Sequence, residues 1–116
     1  MDIKILDYKT NSKMKKKIKK DSLFYMANLY PEIGRLFSFF DSGKVEATLN
    51  TQKRSLDIID KILSFKDIKP AGREEWSVIK NFILGFDKLD TYERTILEKY
   101  AEPFSYKFMN IYSKIL

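Results

Sequence analysis

The sequence contains neither cysteine nor histidine. Disulfides, thiolate and imidazole metal sites, cysteine nucleophiles and histidine acid–base chemistry are all excluded together. Glycine is scarce: Gly34, Gly43, Gly72 and Gly85 stand singly, so no glycine-rich loop is framed to cradle a phosphate. No apolar run approaches the roughly eighteen residues that would suggest a membrane span. Carboxylate pairs do occur, at Glu74 and Glu75, Asp57 and Asp60, and Asp87 and Asp90. Their helical phase or turn position reads as solvated surface, with a carboxylate-only Mg²⁺ or Mn²⁺ site as the minority reading. No enzyme is expected, and no catalytic, cofactor-binding or metal-binding residue is assigned.

What is present is a chain of 116 residues, 44% hydrophobic, 15% aromatic and 33% charged. Such a composition suits a single helical domain over 1–116 with a core of its own. The net charge of +6 is unevenly spread. Residues 1–20 carry eight lysines against Asp2 and Asp7, whereas the other residues carry fourteen bases and fourteen acids. A basic end on a neutral body points to an acidic surface such as nucleic acid, anionic lipid or an acidic protein. The lysine run before the apolar stretch Leu23–Leu29 imitates a secretory leader, but Asp21 and Asn28 interrupt it and no small-residue cleavage site follows before Pro31. A cytoplasmic location is the expectation.

Between the breakers at Pro31, Asp41 to Gly43, Pro70 to Gly72, Gly85 to Asp90 and Pro103, apolar residues recur at helical spacing. The pattern predicts an all-α bundle of about five to six helices. A first helix over about 10–30, with a seam of Met14, Ile18, Tyr25 and Leu29, carries its lysines on a protruding N-terminal half. The helical body takes in about 31–116. Pro31 is read as the first residue of a short second helix bearing Ile33, Leu36, Phe37 and Phe40. Val45, Leu49, Gln52, Leu56, Ile59 and Leu63 form a heptad-like seam, read as an ordinary bundle helix or else as a dimer seam keyed by Gln52. A fourth helix from about Arg73 to Phe86 buries Trp76, Ile79, Phe82, Ile83 and Phe86. Asp90 with Glu93 caps a fifth helix, whose inward residues are Ile96, Leu97 and Tyr100. A last helix begins near Pro103 to Ser105 and carries Phe104, Phe108, Ile111, Tyr112, Ile115 and Leu116. Its wide apolar arc suggests a homodimer.

Two segments resemble a known family. Ile5-Leu6-Asp7-Tyr8-Lys9-Thr10, running into the lysine-rich stretch, looks like the opening of the phage-type transcriptional regulators of the ArpU/RinA group. Leu89-Asp90-Thr91-Tyr92-Glu93-Arg94-Thr95-Ile96-Leu97-Glu98-Lys99-Tyr100 is similar to that group's segment before its helix-turn-helix, which resembles sigma factor region 4. The resemblance implies a scaffold role for Leu89, Arg94, Ile96, Leu97 and Tyr100 beneath a DNA reader. It also implies that Ser105 to Leu116 is the first helix of a helix-turn-helix, whose recognition helix would follow after Leu116. A truncated chain, or one that keeps the scaffold and lacks the reader, is the expectation.

Lys13, Lys15, Lys16, Lys17, Lys19 and Lys20 are the candidate nucleic-acid contacts, since lysines on an exposed segment neutralise phosphates without reading sequence. Expected partners are thus DNA, bound with little sequence preference, or the transcription machinery. A small helical protein-interaction module that uses its lysines for solubility or steering is the alternative.

Overall fold

The computed structural model describes residues 18–113. Four α-helices account for most of them: α1 (Ser22–Asp41), α2 (Val45–Ser64), α3 (Pro70–Leu84) and α4 (Thr91–Tyr112), with a 3-10 turn at Phe86–Lys88 before α4. No strand occurs among the described residues. The helices run alternately up and down. α1 packs along both α2 and α4, and α2 packs along α3, while the α3 and α4 backbones barely approach each other. Side chains fill that gap: the Trp76 ring lies 5.1 Å from Tyr100 and 5.4 Å from Phe104.

The helix count is therefore four rather than five to six, and two prolines account for the difference. Pro31 lies inside α1 and Pro103 inside α4. Each removes a backbone donor from a helix interior, at a cost of about 3 kcal/mol. Both are solvent-exposed, and the apolar stripe passes them unbroken: Met26, Leu29, Ile33, Leu36 and Phe37 on α1, Leu97 and Ala101 leading to half-buried Phe104 and Phe108 on α4. Fully burying an aliphatic side chain contributes roughly 1.5–3 kcal/mol, so Ile33 and Leu36 offset the cost of Pro31, and the half-buried Phe104 and Phe108 act in the same sense beyond Pro103. The continuity of α4 also means that Ser105 begins no separate helix.

The start of α1 differs as well. Asp21 is its N-cap, and its carboxylate accepts a hydrogen bond from the Phe24 N–H at 3.0 Å. Ile18, Lys19 and Lys20 precede the helix instead of belonging to it, because the cap satisfies the first free donors at residue 21. Met14 and the predicted start at Thr10 to Ser12 lie outside the described residues. At the other end of α1, Gly43 adopts a positive φ of 71°. The Gly43 N–H donates to Phe40 O and the Lys44 N–H to Phe39 O, the paired bonds of a Schellman stop.

α2 forms where predicted but buries a different face. Thr48, Thr51, Ser55, Ile59 and Ile62 point inward, while Val45 and Leu49 are 71% and 55% exposed. At about 100° per residue this stripe lies roughly 80° from the heptad seam. Small residues allow α1 to approach, and each buried hydroxyl is satisfied within its own helix: Thr48 donates to Lys44 O, Thr51 to Ala47 O and Ser55 to Thr51 O. Gln52 makes a contact within the bundle. Its side-chain amide donates to Ile83 O at 3.1 Å and Leu84 O at 3.4 Å, closing the C-terminus of α3.

α3 buries Trp76, Ile79 and Ile83 and leaves Phe82 half-buried; Phe86 is buried in the 3-10 turn. The capping box at Asp90 and Glu93 is formed in both directions. Leu97 is fully buried and Tyr100 half-buried, whereas Ile96, expected inward, is 40% exposed.

Candidate nucleic-acid interface

Of the six lysines expected to contact nucleic acid, Lys13, Lys15, Lys16 and Lys17 lie outside the described residues. Lys19 and Lys20 are exposed at the end of the bundle where α1 starts and α4 stops. The Lys19 backbone N–H donates to the Tyr112 hydroxyl at 3.4 Å, and the Phe24 ring stands 5.9 Å from Phe108. These contacts fix where the chain enters the bundle.

The α2–α3 connection reaches the same end. The Ser22 hydroxyl donates to Asp67 Oδ2 at 2.9 Å, and the Tyr25 and Phe65 rings lie 5.8 Å apart. Lys66 and Lys69 flank Asp67 and are exposed, and the Lys61 ammonium sits 5.8 Å from the Tyr25 ring. Arg73 is used differently. Its guanidinium donates to Leu63 O at 2.7 Å and Phe65 O at 2.6 Å, holding the last carbonyls of α2. Lys61, Lys66 and Lys69 are absent from the sequence-based set. Two lysines flanking a turn carry no signal of their own, and the long-range bond from Ser22 that brings them beside Lys20 has no local signature.

The opposite end carries acids and an apolar groove of about 410 Å³. Val45, Leu49 and Leu84 stand on its lips, with Phe86 and Gln52 below and Asp87 as its charged member. Arg94 lies over the Phe37 ring at 4.6 Å, and its Nη1 reaches both carboxylate oxygens of Asp41, at 2.9 and 2.8 Å.

The carboxylate pairs are engaged separately. Asp60 pairs with Lys80 at 2.7 Å, Asp90 caps α4, and Glu75 accepts the Tyr100 hydroxyl at 2.8 Å. Burial and that hydrogen bond push the Tyr100 phenol well above its usual pKa. No group of three or more acids among the described residues is placed to hold a metal ion. No helix among them is long and apolar enough to cross a membrane.

In α4, Phe104, Phe108 and Tyr112 are half-buried, leaving Tyr106, Met109 and Ile111 exposed. Of the residues singled out by the family resemblance, Leu97 lies in the core, Arg94 on Phe37 and Phe40, and Tyr100 against Trp76, while Leu89 is half-buried and Ile96 exposed. Comparison of the chain with family models, with curated proteins and with solved structures returned no match.

Proposed function

We propose that this chain is a non-enzymatic regulator of transcription of the phage type that engages DNA or the transcription machinery through its basic end. The observation that carries this reading is the state of the acids there. Asp21 is taken up as a helix cap and Asp67 as the acceptor of Ser22, and neither forms an ion pair with Lys19 or Lys20. The lysines therefore keep their charge available for phosphates. The similarity of Leu89 to Tyr100 to the segment beneath a sigma-like DNA reader supports the regulatory half of the proposal.

Binding of this kind is electrostatic and nearly blind to sequence. Duplexes of unrelated sequence, titrated against the full chain at rising salt, are expected to show similar affinities and a steep loss. Replacing Lys15, Lys16, Lys17 and Lys19 with Gln is expected to flatten the salt dependence. Absence of binding at low salt would remove the reading.

A second reading, a helical protein-interaction module that includes self-association, is favoured by the exposed Val45, Leu49 and Leu84 around the far groove. It predicts concentration-dependent sedimentation that Leu49→Glu abolishes. A wild type that stays monomeric at high concentration contradicts the dimer.

A further inference from the structure

The bundle's basic end is assembled from two parts of the chain that are remote in sequence. Lys20 lies two residues before Ser22, and Lys66 and Lys69 lie one and two residues from Asp67. The Ser22 to Asp67 hydrogen bond, at 2.9 Å, ties those two places together. Each residue along the chain adds at most about 3.8 Å. The backbone at Lys20 therefore lies within about 25 Å of that at Lys66 and Lys69. Lys61 joins them from α2, its ammonium 5.8 and 5.9 Å from the Tyr25 and Phe65 rings.

Two further facts bear on this surface, the first shared with Lys44, Lys53 and Lys88 elsewhere. The five ion pairs found among the described residues use Arg35, Arg54, Lys80, Arg94 and Lys99, and none uses Lys19, Lys20, Lys61, Lys66 or Lys69. The backbone beneath the second group is also fixed. Arg73 holds Leu63 O and Phe65 O, so Lys66 and Lys69 project from an anchored connection and lose less entropy on binding than lysines of a free arm.

We propose that Lys61, Lys66 and Lys69 form, with Lys19 and Lys20, one phosphate-contacting surface on which duplex nucleic acid lies across the end of the bundle. This inference rests on the nucleic-acid reading above and extends it from the N-terminal run to the α2–α3 connection. Lysines are point donors without a planar fork, which suits backbone phosphates and not base edges. A membrane surface fits less well. The exposed apolar residues near this end of α4, Tyr106, Met109 and Ile111, spread over about 200° of the helix and form no single face to insert.

The test uses the full chain and a fluorescently labelled duplex of arbitrary sequence, with anisotropy read over a series of salt concentrations. Wild type is compared with Lys66→Gln/Lys69→Gln, with Lys19→Gln/Lys20→Gln, and with Lys44→Gln/Lys88→Gln, whose lysines belong to the other end. Circular dichroism checks that each variant is folded. Each phosphate contact contributes about 0.9 to the slope of log affinity against log salt, so the first two variants should each lose about 2 from the slope and the third none. If the wild type binds and Lys66→Gln/Lys69→Gln keeps its slope, this inference falls while the nucleic-acid reading stands. If the wild type binds no duplex at low salt, both fall, and binding to phosphatidylserine vesicles in that case would assign the surface to lipid.

Discussion

At one end of the bundle α1 begins, residues 65–69 join α2 to α3, and α4 stops; at the other, residues 42–44 and 85–90 make the two remaining connections. The first end presents Lys19, Lys20, Lys61, Lys66, Lys69 and Arg73 with Asp21, Asp67 and Glu74, and the second presents Asp41, Glu46, Asp87, Asp90 and Glu93 with Lys44, Lys88 and Arg94. By formal count the chain after residue 20 is neutral. Most of the excess of the first end comes from Lys19 and Lys20, which precede that neutral stretch. The ends also use their acids and bases differently. Asp21 and Asp67 serve local hydrogen bonds and form no ion pair among the described residues, whereas Asp41 is bound by Arg94, itself stacked on Phe37 and Phe40. Electrostatic attraction over a distance belongs to the first end, and apolar contact in a groove to the second.

The largest expected effect abolishes the distinction between the ends. Ile59 is fully buried where α2 meets the core, and Ile59→Ala should cost about 2–5 kcal/mol and destabilise both ends together, read by chemical denaturation. Smaller changes should separate the ends. Arg73→Ala removes two charge-assisted bonds to α2 carbonyls, each worth about 1.5–3 kcal/mol at most. It should raise amide hydrogen exchange at 61–69 and leave 41–49 unchanged. Asp90→Ala breaks the capping box at the other end, at a cost of about 0.5–2 kcal/mol, and should speed exchange at 90–94 only.

The smallest effect concerns Tyr100, midway between the ends. Its folded pKa is raised above the unfolded value of about 10. The folded state therefore holds the proton more tightly. This stabilisation is fully present below pH of about 10 and is lost as pH rises through the folded value. Tyr100→Phe should make the alkaline fall in stability shallower than in the wild type, with little change near neutrality.

The features legible in the sequence are those whose cause is local. The capping box at Asp90 and Glu93 depends on residues three apart, and helical periodicity needs only neighbouring turns. Pro31 and Pro103 look like boundaries because their penalty is local, whereas the burial that offsets it comes from packing against other helices. The buried face of α2 eluded a hydrophobic pattern for a related reason. Thr48, Thr51 and Ser55 look polar, yet their hydroxyls bond to their own helix and behave as small core residues. The basic end was half legible: Lys19 and Lys20 stand in a conspicuous run, and Lys66 and Lys69 become part of the same surface only through Ser22 and Asp67.

The account stands most directly on where a duplex touches the molecule. Amide chemical shifts of the uniformly labelled full chain, followed as an unlabelled duplex of arbitrary sequence is added at low salt, would map that contact residue by residue. Perturbations should cluster at 19–25 and 61–69, fade as salt is raised, and spare 41–49 and 84–90. Shifts confined to the groove residues Val45, Leu49 and Leu84, or no shifts at any residue, would contradict it.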